Sequence, residues 1–600
     1  MRGSTFEPGL APGFFFDTQF IDKAMRKRHL ASLLLTLLIP LVAQAAGTAD
    51  YLLTNGYIYT VNPEQPWADS LAIKGSRISY VGNREDAEKL VDHRTQVVDL
   101  QGKMLLPGFQ DAHIHPISAE LRQNQLSLYS LKDRQSYIKA LADYARANPD
   151  ISWIQGAGWS HEYFSDDNPP TREQLDAVVN DRPVTLKSYD GHSLWVNSRA
   201  LEIAGVDADT PDVAGGEIVR KPDSREPSGL MIEDFAQRLV LDHRPDYSDS
   251  ERYIALIKTQ AYLHSLGITS IQDALIDLDH VGDYGSLPTY LKAARAGDLT
   301  LRVVGALYWN PQKGMEQLDD MIEARNSYSA GNFRATSVKV WQDGVMHTRS
   351  AKLLKDYSDD PGNRGTDMNP IPRLQELVVA ADRENFQVHC HADGDGAVRD
   401  CLDAIELARK KNGKRDNRHH IAHLELIHPE DIPRFKQLGV TANVQPMWST
   451  HAPYIEDLVK NKLGADRKRW LEINRSFFDH GVRVAYGSDW FVTSANPLDL
   501  IEAAVTRIRP LLPLETKRTA TPPLPGEEVS LEQAIGAITL GSAYVNHQDK
   551  STGSLEVGKL ADLVVLEHNL FEIPAVEISD TRVVMTFVGG KLVYGNPAAK

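Results

Sequence analysis

The sequence predicts an α/β protein built as a TIM (β/α)8 barrel with a small composite β-sandwich formed by its N- and C-terminal segments. Short strands cluster at 50–107, similar strands return at 561–594, and the long section between them alternates apolar strands with helices. A doubly wound sheet would alternate in the same way, but no glycine-rich phosphate loop opens the first unit. We therefore expect one large barrel with insertions.

The predicted domain boundaries follow this pattern. The first part of the β-sandwich is 46–107, the barrel is 108–545, and the second part of the β-sandwich is 546–600. A chain of 600 residues exceeds the size at which one hydrophobic core stops growing, which favours a large and a smaller domain. Within the barrel section, for example, 183–189 is predicted as a strand.

The segment 25–45 has the three parts of a secretory signal peptide: a basic start, an apolar run at 30–41 and small residues that end at Ala45. The apolar run is too short to span a bilayer. Because a signal begins at the initiator, we interpret 1–24 as an upstream extension that is not native. A buried helix with basic flanks is the alternative. We expect an exported protein, periplasmic or secreted, without a stable membrane anchor after processing.

The composition excludes some classes of partner. A formal net charge of -16 argues against nucleic acid, because phosphate binding needs a basic surface. With 42% hydrophobic and 24% charged residues, the chain has enough apolar surface for a globular core. A small-molecule substrate is therefore the expected partner, and a homodimer is left open.

Metal-binding side chains end four otherwise apolar strands. They are His113 and His115, His389 and His391, His423, and Asp489. Side chains two apart in a strand face the same way, so the first histidine pair can hold one ion together. TIM barrels place catalytic groups at such strand ends. Imidazole and carboxylate together suit zinc and neighbouring divalent metals.

Lys339 lies between apolar residues of a fifth segment, 335–344, which is predicted as a strand. A buried lysine is costly unless it is paired or neutral. Carbamylation by carbon dioxide is one resolution, because it gives an anionic group that can bridge two cations. The alternatives are a lysine that snorkels from the barrel rim or one that pairs with Asp343.

Further segments carry a family likeness. They are LPGFQDAHIHP at 106–116, DGHSLWVNSRAL at 190–201, EPSGLM at 226–231, VKVWQDG at 338–344, HADGDGAV at 391–398, LGVTANVQP at 438–446, GSDW at 487–490 and VGKLADLVVL at 557–566. With them the chain resembles the amidohydrolase superfamily, specifically the YtcJ-like branch that includes N-substituted formamide deformylases. The resemblance covers nearly all of 50–598.

The resemblance implies one or two divalent metal ions, with zinc expected, at the C-terminal rim of the barrel. The ligands that it implies are His113 and His115, Lys339 as a carbamylated bridge, His391, His423 and Asp489. His389 matches no ligand position, so we expect it to orient a ligand or to pack. The chain departs from the family pattern at Ala422 and Trp448, where Glu and His are usual, and the substrate preference is therefore left open.

Five residues are candidates for substrate contact. His192 ends its predicted strand and is expected to stabilise the developing oxyanion or to hold the substrate carbonyl, with a core histidine as the alternative. Trp159 could form an aromatic wall or belong to the core, and Arg349 could pair with an anionic group or lie on the surface. Gln445 and Trp448 are expected to border the pocket.

These residues predict an exported metal-dependent hydrolase that cleaves a carbon–nitrogen bond of a non-peptide, amide-like substrate. Asp489 is expected to act as general base toward a metal-activated water and to return the proton to the leaving nitrogen. A lactonase or phosphoesterase on the same scaffold is one alternative, because each also uses an activated water. A non-catalytic regulatory relative is another.

Overall fold

Eight parallel strands form the barrel that the sequence predicts. The computed structural model describes residues 48–596 apart from 124, 166–167, 214 and 280–281, so the segments 1–24 and 25–45 lie outside the described residues. Each strand is hydrogen-bonded to the next along the chain. The barrel strands are Phe109–Ile114, Ile268–Ile276, Arg302–Tyr308, Phe333–Trp341, Gln387–Ala392, His420–His423, Thr441–Val444 and Val484–Tyr486. Their side chains are almost all buried, as expected for a parallel sheet covered by helices.

The first and eighth barrel strands approach each other closely just beyond the eighth strand. The Asp489 N–H donates a hydrogen bond of 2.8 Å to the His113 carbonyl. Gly487 makes this approach possible, because a Cβ at position 487 would lie 2.5 Å from the His113 Cβ and 2.7 Å from its backbone nitrogen. The missing side chain therefore sets the distance between the first-strand histidines and the eighth-strand aspartate.

Replacing Gly487 with alanine is expected to lower both stability and metal content. The added methyl group must push the first and eighth strands apart, and overpacking of this kind costs about 1–3 kcal/mol. Thermal unfolding and metal analysis after dialysis would measure the two effects. Gly536→Ala is the matched control, since a Cβ there meets nothing within 4 Å. Equal metal content in the Gly487→Ala and Gly536→Ala proteins would show that this close approach is not needed.

Strands from both ends of the chain combine in one eight-stranded sheet, which confirms the composite β unit. Met104–Pro107 from the first end pairs antiparallel with Leu563–Leu566 from the second. The strands are Tyr51–Tyr59, Trp67–Lys74, Arg77–Gly82, Gln96–Asp99, Met104–Pro107, Leu563–Leu566, Val583–Val588 and Lys591–Gly595. Buried Leu53, Leu71 and Phe587 belong to the separate core of this unit.

A six-stranded mixed sheet is inserted between the first and second barrel strands. Its strands are Leu126–Ser127, Ile154–Trp159, Val184–Ser188, Ser193–Val196, Glu217–Arg220 and Pro227–Ile232. The segment 183–189 does contain a strand, but its predicted place in the barrel is wrong, because the strand belongs to the inserted sheet. Val184–Ser188 pairs with its two neighbours in the inserted sheet and with no barrel strand among the described residues. Strand periodicity predicts an element but not the sheet that it joins.

Helices connect the barrel strands and cover the outside of the barrel. The helix Asp249–Ser265 shows the local signals. The Ser248 hydroxyl accepts the Glu251 N–H in the first turn, and the Glu251 carboxylate accepts the Ser248 N–H. The α-helices are Arg84–Glu88, Pro116–Gln123, Arg134–Ala147, Arg172–Asp176, Ser198–Ala204, Glu233–Leu241, Asp249–Ser265, Leu287–Ala296, Gln317–Tyr328, Ile371–Arg383, Asp395–Asn412, Ile432–Leu438, Ala452–Asp457, Arg475–Asp479, Pro497–Thr506, Leu514–Lys517, Leu531–Gly536 and Ser542–Val545. Among the helices of the described range, none combines the length and the hydropathy that a membrane span requires.

Candidate metal centre

One cavity at the carboxyl end of the barrel gathers all the ligands that the sequence indicated. Side chains from the first, fourth, fifth and sixth strands, together with the aspartate after the eighth, line it. They are His113, His115, Lys339, His391, His423 and Asp489. Its free volume is about 50 Å³, which is room for only a few water molecules. The barrel thus brings together residues that are separated by up to 376 positions in the chain.

The H-x-H pair and Asp489 form the tightest part of this cluster. Asp489 Oδ1 lies 3.3 Å from His115 Nε2 and 3.5 Å from His113 Nε2. One ligand atom from each of the three residues lies within 4.8 Å of the other two. Two imidazoles and one carboxylate are a donor set that divalent zinc and its neighbours accept.

The protonation states at the site suit metal ligation. Burial lowers the pKa of His113 and that of His423 well below the usual histidine range, and burial lowers the pKa of His115 as well. These imidazoles are therefore neutral at neutral pH and can offer a lone pair. Among the described residues, buried His113 Nε2 has no hydrogen-bond partner. A buried nitrogen without a partner is costly, and a metal ion would satisfy it.

The other three candidate ligands, Lys339, His391 and His423, line the same cavity. His423 bridges the two groups, since its ring centroid lies 4.7 Å from that of His113 and 4.3 Å from that of His391. Lys339 is 1% exposed, and burial lowers the pKa of its amine to about 8. The alternative pairing with Asp343 is not formed: Asp343 instead accepts hydrogen bonds from the backbone N–H groups of Lys352, Asp393 and Gly394.

His389 contacts a candidate ligand directly. Its Nε2 lies 2.9 Å from His113 Nδ1, so one of these two nitrogens donates a hydrogen bond to the other. The ring of His389 also lies 4.0 Å, centroid to centroid, from the ring of His420. If His113 holds a metal through Nε2, its Nδ1–H donates to His389, which fixes the tautomer and the ring orientation of the ligand.

Replacing His389 with leucine is expected to weaken metal binding roughly 10- to 100-fold, because losses of this size follow when a ligand's outer partner is removed. Competition with a chelator, monitored by fluorescence, would measure the affinity. His480→Leu provides the control, since His480 is exposed and remote from the cavity. An unchanged affinity in a folded His389→Leu protein would mean that the contact with His113 only fills space.

His192 reaches the cavity from the inserted sheet and is held by a carboxylate. Its Nδ1 lies 2.7 Å from Glu233 Oε2, and Ser350 Oγ donates 2.5 Å to the other oxygen of Glu233. Burial opposes protonation of His192, but the Glu233 carboxylate outweighs it and raises the pKa of His192 to about 9. The ring therefore carries a positive charge at neutral pH, with Nε2 left for a group in the cavity.

Two of the predicted substrate-contacting residues lie at or beneath the cavity wall. Trp448 lines the cavity and stacks on the ring of His423 at 5.0 Å with an interplanar angle of 12°. Gln445 does not line the cavity. Its Oε1 accepts the His423 N–H at 2.8 Å and its Nε2 donates to Asn443 Oδ1 at 3.1 Å, so it braces the backbone of a candidate ligand.

The other two predicted substrate contacts, Trp159 and Arg349, do not line the cavity, so the predicted contact with the substrate is wrong for both. Trp159 is fully buried in the core of the inserted sheet, and its Nε1–H donates 2.8 Å to the Leu186 carbonyl. The Arg349 guanidinium lies 2.7 Å from Asp359 Oδ2. The backbone of Arg349 has a positive φ of 60°. In both cases a tertiary partner that the sequence could not reveal fixes the side chain elsewhere.

Three residues that the sequence did not single out also contribute to the site. The Glu233 carboxylate stabilises the protonated form of His192, while Lys187 and Asp190 line the cavity. Asp190 lay inside the quoted segment at 190–201, but a single strand-end aspartate carries no specific signal. Glu233 and Lys187 gain their roles only when the inserted sheet packs over the barrel mouth.

An eight-stranded parallel barrel with imidazole and carboxylate groups gathered at the carboxyl ends of its strands is the architecture of a metal-dependent hydrolase. The chain belongs to the amidohydrolase family, which its residues 96–594 match. This confirms the family resemblance that the sequence motifs indicated.

Individual relatives cover nearly the whole chain. The LONG AFTER FAR-RED 3 protein of Arabidopsis thaliana is 33% identical over 92% of this chain and 93% of its own length. The N-substituted formamide deformylase of Arthrobacter pascens is 26% identical over 91% of this chain and 98% of its own. The crystal structure of an uncharacterized metal-dependent hydrolase from Pyrococcus horikoshii covers 88% of this chain and 99% of its own, with a TM-score of 0.68 and 24% identity. The similarity to this crystal structure supports the barrel fold.

Proposed function

We propose that this protein hydrolyses a carbon–nitrogen bond of a non-peptide, amide-like substrate with the help of one or two divalent metal ions, zinc in the first instance. The observation that carries the proposal is the convergence of the six candidate ligands on one cavity. The family membership supports hydrolysis, and the similarity to an N-substituted formamide deformylase supports a carbon–nitrogen bond.

The candidate ligands would hold the ions in two neighbouring groups. His113, His115 and Asp489 form one, and Lys339, His391 and His423 would serve a second ion. When bound, a divalent ion supplies Lewis acidity toward a carbonyl oxygen and toward water. The remaining steps belong to side chains of the protein.

Asp489 is the proposed general base. Its carboxylate is buried at the point where the first and eighth strands meet, and Oδ1 is the atom nearest to the H-x-H pair. It accepts a proton from the attacking water as the oxygen–carbon bond forms, and it returns that proton to the nitrogen as the carbon–nitrogen bond breaks.

His192 is the proposed group that stabilises the negative charge on the carbonyl oxygen. It is protonated through Glu233, and its Nε2–H can donate to an oxygen in the cavity. Because the ring is held in place before the substrate arrives, this donor needs no reorganisation during the reaction.

As a carbamate, Lys339 would be an anionic ligand shared by the two ions. Its depressed pKa leaves part of the amine neutral near pH 8, and a neutral amine adds to carbon dioxide with loss of one proton to give an anionic carbamate.

Lys339→Ala is expected to lower the metal content of protein reconstituted with zinc and bicarbonate, and a short carboxylic acid should restore part of that metal content. Metal analysis of dialysed protein would measure this. A metal content unchanged from the wild type would exclude Lys339 as a ligand.

A hydrolysis panel on zinc-loaded protein tests the proposed reaction. It should contain N-substituted formamides, N-acyl amino acids, cyclic amides, lactones and phosphotriesters. We expect turnover of at least one carbon–nitrogen substrate at a rate that exceeds the ester rates. Turnover confined to lactones or phosphotriesters would contradict the proposed cleavage of a carbon–nitrogen bond. If the metal-loaded protein hydrolyses no member of the panel, the proposal that it is a hydrolase is contradicted.

We also propose export, on the pattern at 25–45 alone. N-terminal sequencing of protein expressed from Met25 in a Gram-negative host should give a mature chain that begins near Ala46, recovered from the periplasm or the medium. Recovery of the full 25–45 segment on a cytoplasmic protein would contradict it.

A further inference from the structure

A lysine that plays no part in the proposed chemistry lines the cavity from the inserted sheet. Lys187 lies on the strand Val184–Ser188, is 8% exposed, and forms part of the cavity wall together with Tyr284 and Asp234. The Tyr284 ring lies 5.7 Å from the His115 ring, centroid to centroid, which places this part of the wall next to the H-x-H pair.

The ammonium group of Lys187 has an incomplete set of partners. Its closest carboxylate oxygen is Asp283 Oδ2 at 3.7 Å, which is beyond hydrogen-bonding distance. No hydrogen bond from its Nζ to another described residue is formed, and its Nζ is not among the fully enclosed unpaired atoms. Because Lys187 lines the cavity, this incompletely paired group is available to a ligand there.

The nearest carboxylate is already committed to two arginines. Arg244 Nη2 donates 2.5 Å to Asp283 Oδ1, and Arg122 Nη2 donates 3.1 Å to Asp283 Oδ2. Arg122 is itself 6% exposed and lies 3.6 Å over the Phe491 ring, another part of the cavity wall. Three buried cations thus share a single carboxylate.

The second carboxylate on this side of the cavity, Asp234, is also committed to an arginine. Asp234 Oδ2 accepts 2.7 Å from Arg238 Nε, and the same guanidinium also lies 2.7 Å from Asp277 Oδ2. Lys187 has the weakest pairing of these cations, since its one carboxylate oxygen lies 3.7 Å away. A buried ammonium group with so distant a partner is costly, and an anion bound in the cavity would offset that cost.

We propose that Lys187 binds a carboxylate of the substrate, so that the protein acts on amides that carry an acidic group beside the scissile bond. The proposal rests on the hydrolase function given above. The scissile carbonyl would lie toward the ligands and His192, and the carboxylate toward Lys187 beside His115. Burial, reinforced by Arg122, lowers the pKa of Lys187 to about 8, and a bound anion would raise it again.

Kinetics on a matched substrate pair test the proposal with the zinc-loaded protein. N-formylglycine carries the carboxylate and N-methylformamide lacks it, while both are small and release an amine that one assay detects. We expect kcat/KM to favour the acid roughly tenfold or more in the wild type. Lys187→Met should abolish this preference, mainly through a higher KM, and Lys187→Arg should keep part of it. An equal preference in the wild type and Lys187→Met proteins would overturn the proposal.

An equilibrium arm separates failure of this proposal from failure of the hydrolase function. If neither amide is cleaved, calorimetric titration with propionate and with propionamide still compares an anion with a neutral ligand of the same shape. The wild type should bind the acid roughly tenfold more tightly, Lys187→Met should lose the difference, and Lys258→Met, a change at an exposed lysine outside the cavity, should keep it. Equal affinities in the wild type would overturn the proposal even if Lys187→Met does not fold.

Discussion

Replacing Asp489 with asparagine is expected to lower kcat roughly 10²- to 10⁴-fold, the range typical of lost general acid–base catalysis. The asparagine amide cannot take a proton from water, yet it has the shape of the original carboxylate. Asp489 has a positive φ of 53°, a region that asparagine tolerates well, so the backbone should not change. His113 and His115 remain, and most of the metal should stay bound.

Steady-state kinetics normalised to metal content would measure this effect. Asp466→Asn makes the same chemical change on an exposed residue and should leave kcat unaltered. Undiminished hydrolysis by a metal-replete Asp489→Asn protein would show that another group is the base.

Replacing His192 with phenylalanine should lower kcat roughly 10²- to 10³-fold, the loss found when one donor to a developing oxyanion is removed. The ring is retained, while the positive charge and the hydrogen-bond donor are lost. Glu233→Gln should give a smaller loss of kcat in the same direction, because the Oε2 charge that keeps His192 protonated is removed while the packing is kept.

Metal content distinguishes this role from a ligand role. It should be unaltered in both variants, and His568→Phe, at an exposed histidine, is the control for the kinetics. If kcat stays at the wild-type value in His192→Phe while KM rises, His192 holds the substrate and does not act on the transition state.

The parts of the site that could be predicted from the sequence follow from short-range geometry. The period of two in a strand places His113 and His115 on one face, and an apolar strand that ends in Gly-Ser-Asp puts Asp489 at the rim. Parallel strands in a closed barrel present all their carboxyl ends at one mouth, so strand-end ligands far apart in sequence meet there. The composite sheet was also predictable, because both ends of the chain are strand-rich.

What the sequence could not supply depends on contacts between distant segments. The strand at 184–188 looks like a barrel strand, and only its pairing assigns it to the inserted sheet. Trp159 and Arg349 are residue types that often line pockets, but other contacts keep both side chains away from the cavity. Trp159 donates a hydrogen bond to the Leu186 carbonyl, and Arg349 pairs with Asp359. Lys187 gains its weakly paired position in the cavity wall only from the packing of the inserted sheet over the barrel mouth.

Anomalous X-ray diffraction from crystals of the zinc-loaded protein tests the central claim most directly. The proposed site predicts an ion about 2.0–2.2 Å from nitrogen atoms of His113 and His115 and from an Asp489 oxygen, with a second ion or a water between Lys339, His391 and His423. Zinc bound only at other residues, with Asp489 turned away from the H-x-H pair, would contradict it.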